Sequence, residues 1–114
     1  MRPSSHDLLL ASWNVEGLTD DKVLQLQVHM VSHGIDILCL QETHKTKSEY
    51  SITPQGFLLI LSGASGDETT ESAGVGFLVS PSLRKSVIGF LQQSDRMAAL
   101  KIRVPGGKVP IVTA

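Results

Sequence analysis

Asn14 and Glu42 are the residues whose types and places best suit chemistry. Each stands seventh in an apolar run, counted from Leu8 and from Asp36. If the two runs are neighbouring parallel strands, both side chains emerge at one edge of a sheet, and ligands bind at the carboxyl ends of strands in open α/β sheets. A carboxylate beside an amide carbonyl offers hard oxygens. Such a pair suits Mg²⁺, which keeps several waters and takes one or two carboxylates together with phosphate oxygens. Lys45 and Lys47 follow Glu42 at the same mouth, where they can contact substrate phosphates and so position a nucleic acid without reading its sequence. On periodicity alone, a solvated Glu42 and an ordinary solvated loop for the two lysines remain the simpler readings.

Other reactive residue types point to structure instead. His29 and His33 stand four apart, a zinc spacing, but Met30 occupies the place where HExxH needs Glu. They fall on the polar face of a helix and read as solvated. Ser62 to Ser72 is rich in Gly, Ser, Thr and Glu, yet lacks the Gly-Lys-Ser/Thr of a phosphate loop, so it reads as a connector. Cys39 sits among Leu and Ile, as a buried inert thiol does.

The elements that must position these residues follow from pattern. Leu8 to Asn14 reads as a buried strand, with a turn through Glu16-Gly17. Thr19 or Asp20 can cap a helix whose first turn carries Asp20 and Asp21, at its positive end. A helical wheel puts Val23, Leu24, Leu26, Met30 and Val31 on one broad face, with Gln27 inside the apolar arc. Lys22, His29, Ser32 and His33 lie opposite. Gly34 is placed to end the helix. Ile35 to Glu42 then reads as a central strand buried on both faces, completing a βαβ unit with parallel strands. Further strands are expected at Gly56–Leu61, Gly74–Val79, Ala98–Val104 and from Val109 to Ala114. One βαβ unit followed by consecutive strands predicts a mixed sheet.

Composition narrows the function classes. The chain has 114 residues, a length that suits one small domain. Its 41% hydrophobic content and net charge of −1 exclude intrinsic disorder. That charge also excludes strong non-specific nucleic-acid binding, so any such function must rest on a local site. Aromatic content of 4% argues against a base-stacking platform. A single Cys cannot form an internal disulfide. The apolar stretch Leu8–Ala11 is too short for an export signal or a membrane span. An intracellular, non-membrane protein is the expectation.

Two stretches, Ala11-Ser12-Trp13-Asn14-Val15-Glu16-Gly17-Leu18 and Ile35-Asp36-Ile37-Leu38-Cys39-Leu40-Gln41-Glu42-Thr43-His44, resemble the first two motifs of the endonuclease/exonuclease/phosphatase superfamily. That superfamily includes apurinic endonucleases, DNase I-like enzymes and endonuclease domains of non-LTR retrotransposons. Ala73 to Pro81 and Ser94-Asp95-Arg96-Met97 are similar to the retroelement endonucleases and to the craniofacial development protein family derived from them. The resemblance covers roughly Leu8 to Ala114. Gln41-Glu42-Thr43 in strand context is its more specific part.

The resemblance implies Glu42 as a metal ligand and Asn14 as a residue lining the metal and phosphate site. It implies Mg²⁺ or Mn²⁺ as cofactor, weakly bound here, DNA as partner and the nucleus as the more fitting compartment. His44 does not match the family's catalytic His, and Arg96 has no physical role assigned. The implied fold is a four-layer α-β-β-α sandwich of the DNase I-like type. Residues 1–7 are expected to be a tail and 8–114 a partial domain that supplies one sheet and its helix layer. A Tyr after the last strand, later Asp and Asn residues, and an Asp-His pair belong to the family pattern and have no match in these 114 residues.

Two functions are then open. One is the N-terminal part of a Mg²⁺-dependent phosphodiesterase or DNA endonuclease-like domain of retroelement ancestry, inactive in isolation. The other is a non-catalytic, domesticated interaction module. With one sheet only, the apolar faces around Phe57–Leu61, Val75–Val79 and Leu100–Val104 would be partly uncovered and prone to self-association.

Overall fold

The computed structural model describes residues 8–63, 74–92, 94, 97–104 and 106–113. The tail 1–7, most of the Ser62–Ser72 connector, Arg96 and Ala114 lie outside the described residues. The elements run β1 (Leu10–Asn14), α1 (Asp20–His33), β2 (Ile37–Gln41), β3 (Glu49–Ile52), β4 (Leu58–Ser62) and β5 (Val75–Val79). A 3-10 turn at Arg84–Ser86 follows, then β6 (Val87–Gln92), β7 (Ala98–Val104) and β8 (Gly107–Thr113). Among the described residues, no helix is long and apolar enough to cross a membrane.

The first five strands form one mixed sheet in the order β1-β2-β5-β4-β3. Only β1 and β2 pair in parallel, as a strand–helix–strand unit requires; the other pairs are antiparallel. The central position expected for Ile35 to Glu42 is observed, since β2 lies between β1 and β5 and is buried from Ile37 to Leu40. The buried β1 expected from its apolar run is not. It is an edge strand, and all its residues except Ala11 are exposed.

A second sheet, β6-β7-β8, corrects the expectation of a single one. Its strands meander antiparallel, and Pro110 sits in β8, an edge strand where a missing N–H costs little. Ile37, Cys39, Ile60 and Phe77 from the first sheet share one core with Leu100, Ile102 and Ile111 from the second. Phe77 meets Phe90 of β6 edge to face, with ring centroids 6.3 Å apart. The faces of Phe57–Leu61 and Val75–Val79 are therefore buried, and so are Leu100 and Ile102 in β7. The second sheet covers one side, and α1 helps cover the other through Leu26 and Met30 against Leu38, Leu40, Leu59 and Leu78.

Thr19 caps α1, its Oγ1 accepting from the Lys22 amide, and Gly34 ends the helix in the left-handed conformation. The buried face differs from the expected one. Leu26, Gln27 and Met30 are buried, whereas Leu24 and Val31 are 49% and 73% exposed. Gln27 takes the core position because its polar atoms are satisfied there: Thr53 Oγ1 donates to its Oε1, and its Nε2 donates to Gln55 Oε1 at 2.8 Å. β3 and β6 were not among the expected strands, although β6 carries the apolar residues Val87, Ile88, Phe90 and Leu91. β3 is a short polar edge strand, and Gly89 interrupts β6 beside an irregularity in its pairing.

Candidate active site

β1 and β2 end at the same sheet edge, and the residues just beyond them build the site. Their register pairs Asn14 with Gln41, one residue short of the pairing that counting along the two runs suggests. Glu42 therefore lies beyond the strand, where regular alternation would turn its side chain away from the face of Gln41 and Asn14. Its backbone is left-handed instead, at φ 56°. That turn returns the carboxylate to its neighbour: Asn14 Nδ2 donates to Glu42 Oε2 at 2.8 Å. The structure thus brings together the two residues singled out from the sequence.

The asparagine is itself held. Its Oδ1 accepts from the Glu16 amide at 3.2 Å, a local turn that fixes which end of the amide faces Glu42. Glu42 is half-buried, and its other carboxylate oxygen has no hydrogen bond among the described residues. A half-exposed carboxylate oriented by an amide, with hard oxygens facing water, fits a divalent cation of the Mg²⁺ type. Among the described residues, no three His, Cys, Asp or Glu side chains converge as a ready-made metal cluster.

Three segments interlock beneath this pair. The amides of Val15, Gly17 and Leu18 donate to the carbonyls of Gln41, Glu42 and Thr43, at 2.9, 2.7 and 2.8 Å. Thr43 is buried, and its amide donates to the Gly74 carbonyl at 3.0 Å. Gly74 has φ 99°, and a Cβ there would collide with Thr43 Oγ1. Only glycine fits that position. Among the described residues, Glu16, Glu42 and His44 are the non-glycine residues with positive φ, and all three lie in these two loops. Strained backbone clusters where surrounding structure over-determines it, as at functional sites.

Lys45 and Lys47 lie exposed beyond Glu42. The Lys45 amide donates to Thr43 Oγ1 at 3.4 Å, and neither lysine side chain is engaged by a described residue. His44 is exposed on the same loop, its ring beside Gly17, where a Cβ would come within 3.2 Å of Nδ1. His29 and His33 are exposed on α1 and form a row of rings with Trp13, at 6.5 and 6.1 Å between centroids. Burial pushes the Cys39 thiol up from 9.0 to about 11, which leaves it protonated and unreactive at neutral pH.

Thr43 and Gly74, which the sequence offered only inside the resembling motifs, and Lys22, read there as part of the polar helix face, are structural members of this site that had no role assigned from sequence. Gly74 had the clearest available signal, a glycine directly before an apolar strand.

Fold and site together define a nuclease- or phosphatase-like α/β domain. The chain belongs to the Endonuclease/Exonuclease/phosphatase family, whose profile matches residues 11–114. Members of this family are generally divalent-metal dependent. No curated protein matches the chain.

Proposed function

We propose that the Asn14–Glu42 pair is the cation and phosphate part of a Mg²⁺-dependent phosphodiester-cleaving site, with DNA as the substrate class. The observation that carries this reading is the 2.8 Å hydrogen bond from Asn14 to a half-buried carboxylate at the sheet edge, in a chain of this family. Glu42 would hold the ion, with Asn14 orienting its carboxylate and lining the phosphate position. When bound, the cation would supply charge stabilisation at the phosphate. Lys45 and Lys47, exposed at the mouth, would contact flanking phosphates and set the register of the strand. Retroelement ancestry is part of this reading, supported by the similarity of Ala73 to Pro81 and Ser94 to Met97 to retroelement endonucleases. With DNA as the substrate, the nucleus would be a more fitting compartment than the cytoplasm.

Phosphodiester hydrolysis also needs an activated water and help for the leaving oxygen. No residue of the 114 matches the family positions that supply these. General acid–base assistance is worth ~10²–10⁴-fold, and one oriented charge stabiliser ~10²–10³-fold, so the lack of several leaves no measurable turnover. The 114-residue chain should therefore show no nicking of supercoiled plasmid in Mg²⁺ above background. A longer chain that adds the missing motifs cuts, and Glu42→Ala in that chain stops it. Nicking by the 114 residues that is lost in Glu42→Ala would overturn the division of labour. For the ion itself, calorimetric titration of Mg²⁺ into wild type and Glu42→Gln gives weak heat for the first and none for the second. Identical heats would remove Glu42 from the site.

A further inference from the structure

Lys22 stands in the first turn of α1, where the helix dipole disfavours a cation. Local preference does not account for it; tertiary contacts do. Its ammonium donates to the carbonyl oxygens of Val15 at 2.6 Å, Gly17 at 2.8 Å and Glu16 at 3.3 Å. The left-handed turns of Glu16 and Gly17 aim these successive carbonyls at one point. Converging carbonyl dipoles repel one another, and a cation placed between them offsets that cost. Meanwhile the Lys22 amide donates to Thr19 Oγ1, so one residue ties the loop to the helix at both of its ends.

We propose that Lys22 is a positioning residue of the Asn14–Glu42 site, acting through the 15–17 loop that its ammonium clamps. The amides of Val15 and Gly17 bond the backbone of Gln41 and Glu42, that of Leu18 next to the loop bonds Thr43, and the Glu16 amide orients Asn14. Without the cation the carbonyls splay, Glu16 leaves Asn14, and Asn14 no longer holds the Glu42 carboxylate. The proposal rests on the metal-site reading above for its functional meaning. Its structural content stands separately.

Nuclear magnetic resonance on the 114-residue chain tests both. Lys22→Met keeps the aliphatic stem without the charge, and Lys22→Ala leaves room for added propylammonium. The Gly17 and Leu18 amides should exchange with solvent about tenfold faster in both variants, the effect of losing a charge-assisted bond. Mn²⁺ broadening of the Asn14 side-chain amide should need about tenfold more metal. Propylammonium should reverse both changes in Lys22→Ala, and propanol should not. Equal exchange in Lys22→Met and wild type would overturn the clamp, and equal rescue by propanol would reduce Lys22 to stem packing. In wild type, a slowly exchanging Lys22 ammonium signal provides a check that needs no variant, and its absence counts against the clamp. Should Mn²⁺ leave Asn14 unbroadened in wild type, the metal reading fails, while the exchange and ammonium measurements still decide the clamp.

Discussion

β1 and β2 are paired neighbours of equal length, and both come from apolar runs, yet one is exposed and the other buried. Their register makes the contrast residue by residue: Leu10 faces Ile37, Ser12 faces Cys39 and Trp13 faces Leu40. Leu10 is 44% and Trp13 55% exposed, while Ile37 and Leu40 are fully buried. What differs is position in the sheet. β2 has a strand on each side, α1 on one face and the second sheet on the other. β1 has a neighbour on one side only, and α1 meets it at Ala11 and, through His29, along the exposed ring of Trp13. The chemistry nevertheless needs both strands, because Asn14 comes from the exposed one and Glu42 follows the buried one.

The largest effect that can break this contrast is truncation of a register pair. Ile37→Ala should cost ~2–5 kcal/mol of stability, and Leu10→Ala, its partner across the ladder, no more than ~1 kcal/mol. Urea unfolding of both variants measures the difference. Equal losses would mean that β1 is as covered as β2.

Gly74 comes next. Gly74→Ala forces a left-handed backbone on alanine and drives its Cβ against Thr43, so a loss of at least ~1–3 kcal/mol is expected. The damage should fall on the end of β2 that carries Glu42. Chemical-shift changes centred on Thr43 and Glu42, rather than on β1, would mark the site floor as part of the β2 core.

Thr19→Ala removes the helix cap and should lower the unfolding midpoint by the equivalent of about 1 kcal/mol. The helix that joins the two strands would fray at the end that carries Lys22. Near-identical midpoints would show that burial of Leu26 and Met30 alone holds that end.

The smallest energetic effect is the clearest positional one. At pH 8 Cys39 should not react with a thiol reagent until the chain unfolds, whereas Ser12→Cys in a Cys39→Ala background should label at once. Because folding raises the Cys39 pKa, the protonated thiol favours the native state, fully below about pH 9. That contribution declines as pH rises from about 9 towards 11, when only the unfolded chain ionises. A stability curve that rises through that window would contradict a buried Cys39.

Much of the architecture was legible because it is written in local terms. The Thr19 cap, the Gly34 stop and the parallel pairing of β1 with β2 each depend on residues a few positions apart or on the length of one crossover. β3 and β6 were not legible, since one is short and polar and the other is split by Gly89. Leu24 and Val31 were assigned to the core because hydrophobicity marks a broad arc. A partner surface decides which part of that arc is covered, and here it chose Gln27, with Thr53 and Gln55 to satisfy it.

The site divides in the same way. Sequence by itself determined that Asn14 and Glu42 would leave two parallel strands at one edge, because strand polarity and crossover length leave little else. It could not determine that the register slips by one residue, that Glu42 turns left-handed to meet Asn14, or that Lys22 reaches back from the helix to clamp the loop between them. Those outcomes depend on backbone strain at Glu16 and Glu42 balanced against hydrogen bonds between residues 25 to 28 positions apart. Such a balance exists only once the two loops and Gly74 are packed together, so only the tertiary structure could decide it.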